Sequence, residues 1–170
     1  LKELEEGEAD TVLIAGMGGF LMRRILCEEA VPESVSELVL QPQSDICEVR
    51  RCVRELAFVI VDEDMVEEDG KFYPMMKAKR GRKLCDRAEP SPCEDFFGPI
   101  LLQKRHPVLK RWLEKEKMTA ETILNQLDAA CAGQMPDDRP DRMPVDRLIL
   151  RRNEILQRRD LLLYALNYYR

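Results

Sequence analysis

The chain has 170 residues, 27 Lys/Arg against 32 Asp/Glu for a net charge of -5, and 45% hydrophobic residues. That composition describes a folded domain, or a small domain with an appendage, and excludes a disordered or fibrous chain. Residues 1–70 hold 6 Lys/Arg against 18 Asp/Glu and residues 71–170 hold 21 against 14, a split that fits nucleic-acid contact as readily as solvated helix faces.

Thr11-Val12-Leu13-Ile14-Ala15 reads as a strand buried on both faces that stops at Gly16-Met17-Gly18-Gly19. From Phe20 to Ala30, Leu21, Met22, Ile25 and Leu26 recur at helical spacing. Leu38-Val39-Leu40 predicts a second buried strand, ended by Gln41-Pro42. Ser44 or Asp45 is placed to cap a helix whose apolar positions are Ile46, Val49, Val53 and Leu56. Phe58-Val59-Ile60-Val61 predicts a third strand. The acidic stretch from Asp62 to Gly70 then leads through a hairpin into an antiparallel strand over Lys71 to Lys79, in which Pro74 indicates an edge or a bulge. This order is half of a doubly wound α/β sheet, which binds ligands at the carboxyl ends of its strands.

Arg80 to Pro99, rich in Pro, Ser, Cys and charge, reads as a connector. Helical spacing resumes through Leu109, Trp112, Leu113, Ala120, Ile123, Leu124 and Leu127, and a break falls at Gly133 to Pro144. The last helix carries two lines at a spacing of seven, Leu148, Ile155, Leu162 and Ile149, Leu156, Leu163. A coiled-coil-like arm of two antiparallel helices would bury both.

The longest apolar runs, such as 57–61 and 161–166, fall far short of the roughly 20 residues a membrane helix requires. No C-x-x-C pair accompanies His106, so no metal site is expected. The six cysteines read as buried reduced thiols of a cytoplasmic protein. G-M-G-G after a strand serves either a loop beneath a flat ligand or a tight turn, and lacks the P-loop and dinucleotide spacings. His106 reads as a surface residue, and no nucleophile, base and acid assemble.

Together, TVLIAGMGG (Thr11 to Gly19), LVLQPQ (Leu38 to Gln43), the acidic hairpin with Gly70-Lys71-Phe72-Tyr73, and Phe96-Phe97-Gly98-Pro99-Ile100-Leu101-Leu102 resemble, in order and spacing, the bacterial tRNA (adenine(22)-N1)-methyltransferase family, TrmK. The resemblance implies the C-terminal half of a Rossmann-like class I methyltransferase sheet over residues 1–99, followed by a helical coiled-coil-like domain over 100–170. Members of that family begin with further strands that hold the donor loop, and the first residue here is Leu. An N-terminally truncated chain is therefore expected.

The resemblance further implies S-adenosyl-L-methionine as cofactor and tRNA as partner. Ala15, Gly16, Met17, Gly18 and Gly19 would line the donor, with Gln41, Pro42 and Tyr73 at the target base. Lys104, Arg105, Lys110, Arg111, Arg151, Arg152, Arg158 and Arg159, with Lys79, Arg80, Arg82 and Lys83, would meet the RNA backbone. A non-catalytic RNA- or protein-binding module is the alternative.

Overall fold

Alternating burial organises the strands. The computed structural model describes residues 1, 3–28, 31–81, 90–132 and 145–170, and these divide into two compact units, Leu1–Leu109 and Lys110–Arg170. The first unit opens with β1 (Thr11–Met17), α1 (Gly19–Glu28), β2 (Glu37–Pro42) and α2 (Ile46–Glu55). A long hairpin of β3 (Phe58–Glu68) and β4 (Lys71–Arg80) follows. The sheet order is β1-β2-β4-β3, with β1 parallel to β2 and β4 antiparallel to both neighbours.

Val12, Ile14, Leu38, Leu40, Met76 and Ala78 from the strands share one core with Met22, Leu26, Val49, Cys52 and Val53 from α1 and α2. The opposite side of β1 is open, with Leu13 68% exposed. The expectation of strands buried on both faces is thereby corrected, because among the described residues α1 and α2 cover a single face. On the other face Lys77 Nζ meets Glu37 Oε1 at 2.8 Å. β1 also continues past Ala15 through Gly16 to Met17, with a register shift between Ala15 and Met17, so the first glycine lies inside an irregular strand end.

Asp69 and Gly70 take positive φ, 50 and 72°, as a two-residue hairpin turn demands. The β2–β4 ladder ends at Leu40 opposite Met76. Carried two residues further, that register would set Pro42 against Pro74, and neither has an N–H to share. β4 is central where it flanks β2, and at Pro74 its paired neighbour is β3, at Met65. The bulge falls on β3, where the register shifts between Ile60 and Asp62.

The expected connector contains one helix, α3 (Pro92–Phe97), and α4 (Pro99–Gln103) begins at its last residue. Ser91 Oγ accepts from the Glu94 N–H, and the Glu94 carboxylate accepts from the Ser91 N–H, a complete capping box with proline at the first turn. At α2 the expected cap is absent. Asp45 is left-handed, with φ 50°, and makes no capping bond, while the Ser44 hydroxyl donates to Asp45 Oδ2 and accepts from the Gly19 N–H.

α5 (Pro107–Ala132) carries the chain into the second unit, which continues with α6 (Val145–Leu166) and a 3-10 turn at Asn167–Tyr169. Arg158 pairs with Glu116 at 2.9 Å and Arg152 with Asp128 at 2.6 Å, an order that makes the two helices antiparallel. Leu148, Ile155 and Leu162 are buried. The second expected line is not, since Ile149 is 47% and Leu163 39% exposed. A single buried stripe suffices for a pair of helices, whereas two would require a further neighbour. The predicted break over 133–144 lies outside the described residues, as do Arg82, Lys83 and Cys85.

Candidate active site

The parallel pairing of β1 and β2 brings their carboxyl ends together. Ala15 lies opposite Gln41 and Met17 opposite Pro42. Gly16, with φ 75°, turns its N–H to the Gln41 side chain and donates to Oε1 at 2.9 Å. Gln43 N–H donates to Met17 O at 2.9 Å, and Gly19 N–H to Ser44 O at 3.0 Å. The two loops expected to flank a ligand thus form one hydrogen-bonded unit.

The glycines differ in what they accommodate. A Cβ at Gly16 would meet nothing within 4 Å, whereas one at Gly19 would lie 2.3 Å from Ser44 O and 2.9 Å from Asp45 O. Ala15 and Gly16 are exposed, while Gly19 is buried and lets the start of α1 approach the loop before α2. The backbone is open at Ala15 and Gly16 and half-buried at Met17 and Gly18. Gly19 holds the loop in place.

Gln41 Nε2 is buried and has no hydrogen-bond partner among the described residues. Leaving a donor in that state costs about 1–3 kcal/mol. Tyr73 lies half-buried on β4 opposite Val66. Because β4 runs antiparallel to β2, its first residues lie at the same end of the sheet as Gln41 and Pro42.

Beside this end, a buried ionic pin fixes the segment containing Gly98-Pro99. Arg50 and Glu63 are 1% and 2% exposed. Arg50 Nε donates to Glu63 Oε1 at 2.8 Å, and its NH1 donates to Asp95 O and Phe96 O. Glu63 Oε2 accepts from the N–H groups of Ile100 and Leu101. Gly98, with φ 91°, admits this arrangement, since a Cβ there would lie 2.6 Å from both Glu63 oxygens. Sequence reasoning missed the pin, although Arg50 follows Ile46 and precedes Val53 at apolar-face spacing on α2.

His106 is not a free surface residue. Its side chain is 17% exposed and its Nε2 lies 2.9 Å from Asp64 Oδ1. Lys104 is paired with Asp62, and this hydrogen bond, more than any other influence, lowers the Asp62 carboxyl below its usual range. Among the other cations proposed for RNA, Lys110 faces Glu114, Arg151 Glu154, Arg152 Asp128, Arg158 Glu116 and Arg159 Asp160. Arg105 is exposed and makes no ion pair among the described residues.

Burial pushes the Cys93 thiol up to about 11 and raises that of Cys47, so neither supplies a thiolate at neutral pH. Cys27, however, is exposed, against the expectation of buried thiols. No group of three or more potential metal ligands occurs among the described residues, and no described helix is long and apolar enough to cross a membrane.

A profile of the TrmK family, tRNA (adenine(22)-N(1))-methyltransferase, matches residues 1–143. The tRNA (adenine(22)-N(1))-methyltransferase of Bacillus subtilis is 32% identical over 135 residues, which cover 76% of this chain and 56% of the relative. The crystal structure of Sp1610 from Streptococcus pneumoniae superposes with a TM-score of 0.72 at 28% identity, covering 96% of this chain and 64% of that one. The same protein in complex with S-adenosyl-L-methionine gives 0.71 at 26%, with 63% of its chain covered. This chain therefore spans less than two thirds of the length of these relatives.

Proposed function

Because the chain belongs to the tRNA (adenine(22)-N(1))-methyltransferase family, we propose that it acts in S-adenosyl-L-methionine-dependent methylation of N1 of an adenine in tRNA, at position 22, in the cytoplasm. The observation that carries this reading is the Gly16–Gln41 hydrogen bond, which joins the two strand-end loops into a single wall with one amide donor left over.

When bound, the donor supplies an electrophilic methyl on a sulfonium. The chain's residues then need to align rather than to deprotonate, because adenine N1 carries an in-plane lone pair at neutral pH. Ala15 to Gly19 line the donor, with exposed backbone at Ala15 and Gly16. Gln41, oriented by the Gly16 N–H, offers its Nε2 protons to an acceptor on the base other than the reacting N1. Pro42 ends the strand beside it, and Tyr73 provides a stacking face for an unstacked adenine. Arg105 meets phosphates directly, and Lys104, Lys110, Arg111, Arg151, Arg152, Arg158 and Arg159 exchange their internal partners for phosphates, which makes affinity fall steeply with salt.

The test incubates the 170-residue chain, and any longer product of the same gene, with labelled S-adenosyl-L-methionine and unmodified tRNA. The expected product is 1-methyladenosine at position 22, formed more slowly by Gln41→Ala. Absence of that product from both proteins overturns the reading. The rival is a module that binds RNA or protein without catalysis. Salt-sensitive tRNA binding without product would identify the RNA-binding form.

A further inference from the structure

Away from the candidate site, two thiols lie in contact. Cys27 is exposed and sits one residue before the end of α1, while Cys52 is buried within α2. Their sulfurs are 2.7 Å apart, although the residues are 25 positions apart in sequence. A disulfide holds its sulfurs about 2.05 Å apart, so bond formation requires an approach of about 0.7 Å. Burial, reinforced by the adjacent Cys27, pushes the Cys52 thiol up to about 12. The exposed partner therefore meets a reagent from solution first, and the buried one waits in contact.

We propose that Cys27 and Cys52 are a redox modification site, forming a reversible disulfide between α1 and α2 on exposure to a peroxide. The Cys27 sulfur attacks one peroxide oxygen, the O–O bond breaks, and water leaves, so that Cys27 becomes a sulfenic acid. As the Cys52 proton passes to the sulfenic hydroxyl in contact with it, the Cys52 sulfur attacks the Cys27 sulfur, the S–O bond breaks, and the hydroxyl departs as a second water. Two thiols are oxidised and one peroxide is reduced. A dithiol reverses the bond by exchange. Since α1 begins at Gly19 and α2 just past the Ser44 carbonyl that Gly19 bonds, the bond joins the same two helices at a second point.

The reduced protein is treated with hydrogen peroxide, blocked with iodoacetamide without reduction, digested and analysed by mass spectrometry. The expected result is a peptide pair linked through Cys27 and Cys52, lost after dithiothreitol and absent from Cys27→Ser and Cys52→Ser, with Cys47 and Cys93 alkylated after unfolding. The oxidised form also melts at a higher temperature than the reduced form, and Cys27→Ser shows no such difference. Cys27→Ser alters an exposed position and carries the test alone should Cys52→Ser fail to fold. Cys27 oxidised to a sulfinic acid with Cys52 still alkylated, or Cys27 linked to a different cysteine, overturns the proposal.

Discussion

Replacing Glu63 by Gln changes the ionic pin without changing its volume. The carboxylate accepts from Arg50 Nε on one oxygen and from the Ile100 and Leu101 N–H groups on the other. A glutamine has one acceptor oxygen, so its NH₂ must face donors on one side, and the Arg50 guanidinium, 1% exposed, loses its counter-charge. Breaking a buried pair from one side costs about 3–5 kcal/mol, a large part of the roughly 5–15 kcal/mol that holds a domain folded. For a unit of this size that lowers Tm by about 10 °C or more. Urea unfolding followed by circular dichroism measures the loss as a lower midpoint at constant slope. Adding Arg50→Met removes the uncompensated charge while the introduced glutamine still accepts from the backbone, so the double variant recovers about 2 kcal/mol relative to Glu63→Gln. A loss below about 1 kcal/mol for Glu63→Gln, or strict additivity in the double variant, would refute the reasoning.

The remaining predictions concern the loops and the helix starts. Gly19→Ala forces a Cβ onto the Ser44 carbonyl at 2.3 Å and is expected to destabilise by about 3 kcal/mol. Gly16→Ala, with φ 75° but open space, costs about 1 kcal/mol, and thermal denaturation ranks the two. Ser91→Ala removes the acceptor of the α3 capping box and costs about 1 kcal/mol, read by the same melts. Asp62 has a lowered folded pKa, so its stabilising contribution is present above the unfolded value of about 3.9 and lost as pH falls through the folded value. Lys104→Met is expected to return the Asp62 titration toward that ordinary value, observed by carboxyl NMR. An unchanged titration would remove Lys104 as the cause.

The strands, α1, α2 and the hairpin were legible because each depends on local signals: the Thr11–Ala15 run, the Ile46/Val49/Val53 spacing, and Asp69-Gly70 between polar strand ends. The open face of β1 was not, since Leu13 reads as apolar wherever it points and only the positions of α1 and α2 determine which side is covered. α3 was hidden by the Pro-Ser-Cys composition around it, although Ser91-x-x-Glu94 was a usable cue. The glycine and glutamine loops were recognisable as strand ends, but their hydrogen bond follows from the parallel register of β1 on β2, which no local pattern carries. Arg50 and Glu63 each look like surface residues until one helix and one strand oppose them.

The two prolines that end the β2–β4 ladder also affect the behaviour of the chain among its copies. Arg80 N–H donates to Ser36 O toward β2, and Gly81 N–H to Ala57 O toward β3. Sides alternate along a strand, so position 74, six residues before 80, faces the side that β2 vacates. A foreign strand arriving there meets a residue with no amide hydrogen to offer. At Pro74 this flank of the hairpin is thus a poor template for intermolecular β pairing.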